Sequence, residues 1–129
     1  MKIQRFSVAA LLIFFSAIFI FTGCEINNNT ERVSVLILSG KGNHAWDKTT
    51  PLLKRIFNLS GLFTVESTDM PDTLNLEAFN RYDAVISNFN TWPDNEIRFS
   101  PEWEKDFLAY VENGGGAVFI HAGASSFYK

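Results

Sequence analysis

Histidine is the side chain that ordinarily titrates near neutral pH, and this chain carries two, His44 and His121. Each stands just past an apolar run. His44 lies within Ser39-Gly40-Lys41-Gly42-Asn43-His44-Ala45-Trp46, and His121 opens His121-Ala122-Gly123-Ala124-Ser125. A third segment, Asn88-Phe89-Asn90-Thr91-Trp92, follows a third apolar run. An imidazole can hold or move a proton, or ligate a divalent metal. Asn43, Asn88 and Asn90 offer amide donors and acceptors, while Trp46 and Trp92 offer flat indole faces of the kind that cover the apolar side of a ring. With Gly123 these residues form the candidate site: His44 and His121 for chemistry or as metal ligands, the rest for binding. Two histidines are too few for a closed metal site, so a divalent ion would need a third ligand from elsewhere. Blander readings stay open. His44 reads equally as an exposed loop residue, His121 as a core histidine bonded to backbone, and Trp46, Trp92 and Trp103 as packing residues. Gly40-Lys41-Gly42 lacks the spacing and the following Lys-Ser or Lys-Thr of a phosphate-binding loop. Asp47, Asp83 and Glu112 read as helix-start, strand-end and surface carboxylates.

Four apolar runs must position these loops. Arg32 to Leu38 is rich in β-branched residues and nearly continuous in hydrophobicity, which suits a strand buried on both faces of a parallel sheet. Thr50 reads as a helix N-cap with Pro51 at the first helical position, and Leu52, Leu53, Ile56, Phe57 and Leu59 follow at helical spacing. Gly61 ends that helix, and Leu62 to Glu66 is a short second strand. Leu76 and Phe79 mark one helical turn, and Tyr82 to Ser87 is a third strand. Ser100-Pro101 opens a further helix, lined on one face by Trp103, Phe107, Leu108 and Val111, with Glu102 and Glu104 in its first turn where the dipole favours them. Asn113-Gly114-Gly115-Gly116 stops it, and Ala117 to Ile120 is a fourth buried strand. Strands alternating with helices predict an α/β fold: an open parallel sheet with flanking helices and right-handed crossovers. Ligands of such sheets bind at the carboxyl ends of the strands, where the three loops fall. The sequence stops just past a strand, so it reads as the N-terminal portion of a longer domain.

Composition narrows the function. Met1 to Arg5 is basic, Phe6 to Phe21 is almost wholly apolar, and Thr22-Gly23-Cys24 closes the run with small residues and the chain's single cysteine. This layout is a secretory signal over residues 1–23, and the thiol at the cut resembles that of a bacterial lipoprotein, in which Cys24 is lipidated. The apolar stretch is shorter than the ~20 residues of a membrane-spanning helix. Residues 24–31 read as a polar tether and residues 32–129 as the folded portion, placed on the periplasmic side of a membrane in the cell envelope. About 105 residues remain after cleavage, one domain at most. Loss of Lys2 and Arg5 takes the formal charge from -3 to -5, so the chain lacks the basic footprint of a nucleic-acid binder. With one cysteine there is no disulfide framework and no Cys-x-x-Cys metal site.

A longer pattern joins these pieces: a first strand ending in Ser39-Gly40, then His44-Ala45-Trp46, Thr49-Thr50-Pro51-Leu52-Leu53, Gly61 to Val65, Tyr82 to Ile86, and Phe107 to Gly123. The chain resembles the ThuA-like family, named for trehalose utilisation, from Val33 to Phe127. The resemblance implies a flavodoxin-like fold, similar to class I glutamine amidotransferases. In those enzymes a cysteine sits on a strained turn straight after a strand. The matching place here holds His121, and the single cysteine lies in the leader, so thiolate attack on an amide is excluded for this chain. The family is linked to sugar catabolism, including disaccharide processing through 3-keto intermediates. The implied partner is therefore a sugar or keto-glycoside, and the implied activity that of a hydrolase, lyase or isomerase. His121 and His44 would act as acid–base groups or hold a divalent metal. A sugar-binding module without turnover, or an inactive fragment, are the alternatives.

The leader reading is tested by Cys24→Ala. The variant is expected to lose lipid-dependent processing and membrane retention, since stable anchoring takes more than one acyl chain. A variant still processed and membrane-bound refutes it.

Overall fold

The computed structural model of the protein describes residues 31–93 and 99–127. The leader, with Cys24, lies outside the described residues, and among those described no helix is long and apolar enough to cross a membrane. In chain order the elements are β1 (Val33–Leu38), α1 (Trp46–Ser60), β2 (Phe63–Thr68), a 3-10 turn (Pro71–Thr73), α2 (Leu76–Phe79), β3 (Ala84–Ser87), α3 (Pro101–Glu112), β4 (Gly116–Phe119) and a 3-10 segment (His121–Phe127). The strands form one sheet in the order β2-β1-β3-β4, and every pair is parallel. The architecture is the open α/β sheet that the alternation of runs predicts.

Successive residues of a strand point to opposite faces, and β1 uses both. Leu36 and Leu38, with Val85 of β3, meet Phe79, Phe89, Phe99, Trp103, Phe107 and Tyr110. Val35 and Ile37, with Ile86, meet Leu53 and Phe57 of α1 on the other face. Val35 to Leu38 are no more than 3 % exposed, as a doubly covered strand requires. Phe79 is the hub of the aromatic face, with its ring 5.3 Å from Trp103, 5.4 Å from Phe107 and 5.7 Å from Tyr110. The Trp103 indole N–H donates to the carbonyl of Pro71 at 2.7 Å, which satisfies its one polar atom in the interior.

Two boundaries follow the sequence: Gly61 caps α1 at φ +70°, and the Ser100 hydroxyl accepts the Trp103 amide at 3.1 Å with Pro101 next in line. Asn75, not singled out in the sequence, caps α2. Other expected boundaries do not hold. Thr50 is no N-cap, because α1 begins at Trp46, where the Ala45 carbonyl accepts the Lys48 and Thr49 amides, each at 3.0 Å. The Thr50 hydroxyl is instead buried against Ser39 Oγ at 2.7 Å, and Pro51 falls inside the helix. Leu52, Ile56 and Leu59 are exposed, leaving Leu53 and Phe57 to make the core contact. In α3 the buried stripe is Trp103, Phe107 and Tyr110, an i, i+4, i+7 row that turns Leu108 and Val111 away from the core. The expected burial of the fourth strand is also corrected: among the described residues β4 pairs with β3 only, and Val118 is 49 % and Phe119 40 % exposed.

The amino ends of β1 and β3 are bracketed by polar bonds. Asp83 Oδ2 accepts from the Ser34 hydroxyl at 2.6 Å and from the Ser34 amide at 2.7 Å, while the Asp83 amide donates to the Ser34 carbonyl at 2.9 Å. The Ser34 hydroxyl first, and its amide second, hold the Asp83 carboxyl below its ordinary range. A carboxyl lowered in the folded state contributes stability that is present above its unfolded pKa and is lost as pH falls through its folded one. Asp83→Asn is therefore expected to lower the melting temperature at neutral pH, with the gap to wild type closing on acidification. A gap that persists at acid pH would show that the charge is not its source.

Candidate functional site

Parallel strands with crossovers on opposite faces open a crevice where the winding reverses, here between β1 and β3 at their carboxyl ends. The loop after β1, the loop after β3 and the turn after β4 meet there. A cleft of about 540 Å³ is lined by His44, Trp46, Thr49, Asn88, Asn90 and His121, among polar residues, and by Leu52, Leu53, Ile120 and Ala122 on its apolar side. The two imidazoles stand edge to face with ring centroids 4.8 Å apart, although 77 residues separate them in the chain (121 against 44). Both are exposed, so a ligand in the cleft reaches them.

Each histidine owes its place to local structure. The His44 carbonyl accepts the Trp46 amide at 2.7 Å, a tight turn that sets the start of α1. His121 leaves β4 in the left-handed region at φ +47°. For a residue bearing a side chain this costs about 1–2 kcal/mol, and such outliers persist where surrounding contacts fix them. The contacts are visible. The Ile120 amide donates to the Ser87 carbonyl at 3.0 Å and the Gly123 amide to the Ile120 carbonyl at 2.8 Å. Gly123 is buried so closely on β3 that a Cβ there would lie 2.3 Å from the Ser87 carbonyl oxygen.

The other expected residues divide. Trp46 walls the cleft. The Asn88 amide nitrogen donates to Thr49 Oγ1 and to Thr50 Oγ1, each at 2.9 Å, so Asn88 ties the end of β3 to the first turns of α1. Asn90 is buried, its amide oxygen accepting the Trp92 N–H at 3.1 Å and its own N–H donating to the Lys41 carbonyl at 3.1 Å. Asn43 and Trp92 are exposed and do not line the cleft, and Gly123 lies beneath the histidine turn. Sequence reasoning missed Ser39, Thr49 and Thr50, whose hydroxyls join β1, α1 and Asn88. The signal was present in Ser39 at a strand end and in paired threonines, but Thr50-Pro51 mimics a helix start.

The site can be tested for a divalent ion. A divalent ion in the cleft would take His44 and His121 as two imidazole ligands. Among the described residues no group of three His, Cys, Asp or Glu side chains gathers to close such a site.

The sheet order β2-β1-β3-β4, all parallel with flanking helices, is that of a flavodoxin-like protein, a class whose ligand crevice falls at the β1/β3 reversal. The family model for ThuA, described as trehalose utilisation, matches residues 34–129, and the chain belongs to this family. Among solved structures, it is similar to a ThuA-like protein from Parabacteroides merdae ATCC 43184, at 29 % identity and a TM-score of 0.62 over 75 % of this chain and 35 % of that one. It is also similar to a ThuA-like protein from Bacteroides uniformis ATCC 8492, at 26 % identity and a TM-score of 0.56 over 72 % of this chain and 37 % of that one. The chain thus spans little more than a third of the length of either. No curated protein matches it.

Gly123→Ala is the direct test of the turn. Overpacking at a site this close costs about 1–3 kcal/mol, read as a lower urea midpoint, with movement of the His44 and His121 ring resonances. Wild-type stability with unmoved rings would mean that Gly123 does not fix the turn.

Proposed function

We propose that this is a lipid-anchored protein of sugar catabolism in the bacterial cell envelope, whose His44–His121 cleft acts on a keto-glycoside or a related sugar. The observation that carries the reading is the 4.8 Å approach of two exposed imidazoles at the ligand end of the sheet. Membership of a family described as trehalose utilisation supports a sugar as the substrate class. The cleft itself is two-sided, with Leu52, Leu53 and Ile120 against Thr49, Asn88 and the imidazoles. A pyranose is two-sided in the same sense, with C–H faces and hydroxyl edges, and Trp46 supplies an indole for the former.

The chemistry needs one base and one acid. In a 3-keto-glycoside the C2–H bond is acidified by the neighbouring ketone. One imidazole takes that proton, and the C–H electron pair moves into an enolate. The pair then forms the C1–C2 double bond as the bond from C1 to the leaving oxygen breaks. The other imidazole, in its protonated form, donates to the leaving oxygen. The products are an unsaturated keto-sugar and the released alcohol, with every atom retained. A divalent ion held by His44 and His121 would supply polarisation of the ketone oxygen.

The test is turnover of a 3-keto-disaccharide by the mature protein. His121→Ala and His44→Ala are each expected to lower kcat at least about 100-fold, as loss of an acid or base does. His121→Gly separates the imidazole from its backbone, because glycine adopts φ +47° without strain. It should be as inactive as His121→Ala while recovering stability. Chelation that abolishes turnover selects metal-assisted chemistry, and retained turnover selects acid–base chemistry alone. Tight sugar binding without any turnover would replace the enzyme reading by that of a binding module.

A further inference from the structure

We propose that the amino end of the sheet, where the chain enters the fold beside the last turn of α1, is a membrane-facing surface. Ile56, Leu59, Leu62 and Val33 rest on the bilayer that holds the lipid of Cys24. The proposal rests on the lipid-anchored reading above and adds to it a fixed orientation of the domain.

Leu59 is 77 % exposed, and Ile56, Leu62 and Val33 are exposed as well. Local structure gathers them. Ile56 and Leu59 are three apart on α1, so they share a face of the helix. Gly61 ends the helix and Leu62 follows. The Leu62 carbonyl accepts the Val33 amide at 3.0 Å, which sets the start of β1 beside the end of α1. Val33 shares its sheet face with Val35 and Ile37, the face that α1 covers. Scattered apolar residues are ordinary on a surface, whereas a gathered set marks a docking face.

Two observations name the occupant. The first is chain length. Cys24 precedes Arg32 by eight positions, and eight residues reach at most about 29 Å. A lipid on Cys24 therefore holds the entry point of the domain near the headgroups, and the entry point is where the apolar set lies. The second is charge. After Asp47, α1 carries Lys48, Lys54 and Arg55 and no carboxylate, although the chain as a whole has a formal charge of -3. Arg55 is exposed four positions before Leu59, on the same side of the helix, and exposed Arg32 precedes Val33. Leucines flanked by cations suit the headgroup layer of an anionic bilayer. Beside an acyl anchor the contact is intramolecular, so a small patch suffices to set the orientation.

The orientation bears on the site. β1 has six residues, a rise of about 20 Å. The histidine cleft lies at the far end of that rise and opens away from the bilayer. It takes its ligand from the aqueous phase rather than from lipid.

The test is tryptophan quenching in the mature acylated protein, held on phosphatidylethanolamine–phosphatidylglycerol vesicles with brominated acyl chains. Trp46 and Trp92 lie toward the carboxyl end of the sheet and Trp103 is buried, so wild-type emission is expected to be unchanged. Leu59→Trp and Leu62→Trp each add an indole at an exposed position, and that added emission is expected to be lost. In the Leu62→Trp protein, a further Leu59→Asp or Arg55→Glu is expected to restore it. Quenching that survives these changes comes from the tether alone and overturns the patch. Added emission that is never quenched, in protein still on the vesicles, overturns the surface and leaves the lipid anchor standing. Quenching of the wild-type tryptophans puts the carboxyl end on the bilayer and overturns the orientation. An intact mass with no lipid on Cys24 overturns the anchor reading and the proposal with it.

Discussion

The parallel pairing of β1 with β3 is the constraint on which the rest depends. Leu38 stands opposite Ser87, so the two strands end level and their following loops leave from one edge. The chain then departs in opposite directions, through α1 to β2 and through α3 to β4, with one helix on each face. A crevice at the reversal is the geometric result. Polar bonds lock the pair at both ends: Ser34 to Asp83 below, and the Asn88 amide to the Leu38 carbonyl at 3.0 Å above. Above that lock, Asn88 reaches Thr49 and Thr50, and Thr50 reaches Ser39. One chain of short side-chain bonds thus joins the end of β1, the start of α1 and the end of β3. His44 stands just before the same α1, its carbonyl accepting the Trp46 amide, and His121 is tied to the same Ser87 through Ile120.

Much of this was legible in the sequence, and what was not has a physical reason. β1 could be read because a doubly buried strand must be apolar at every position. Ser100 and Gly61 could be read because capping depends on the residue and its immediate neighbours. The convergence of His44 and His121 followed from topology, since both loops leave carboxyl ends of strands in one parallel sheet. Thr50 could not be read correctly. Thr-Pro favours a helix start locally, but a buried partner at Ser39 and a carbonyl at Ala45 decide the matter, and neither is local. Leu108 and Tyr110 were exchanged because apolarity alone does not say which residues lie on the i, i+4, i+7 row. Tyr110 is buried with its hydroxyl 3.1 Å from the Tyr82 carbonyl, so it satisfies its polar atom where a leucine has none to satisfy. The strand character of Ala117 to Phe119 was legible and its burial was not, because burial depends on what lies over the strand.

The left-handed backbone of His121 was invisible to pattern reading, since no composition rule assigns φ +47° to a histidine. It becomes intelligible from its neighbours. β4 runs level with β3, and the chain must turn at once to let Gly123 settle on Ser87. The residue between takes up the reversal. An ordinary right-handed turn at that position would send the imidazole elsewhere, so a cost of about 1–2 kcal/mol is held by three surrounding contacts to keep the ring facing His44. Strain retained in this way is the mark of a constrained site rather than of a connector.

The same bonds decide how labour divides inside the cleft. Both N–H donors of Asn88 are committed to threonine hydroxyls, and Asn90 is committed to Trp92 and Lys41 backbone. The asparagines therefore act as frame, whatever a ligand finds in their remaining atoms. What the frame presents is two imidazoles, one indole and an apolar wall from Leu52, Leu53 and Ile120. Rigidity follows from the asparagines and threonines, which tie α1 to the β1–β3 junction.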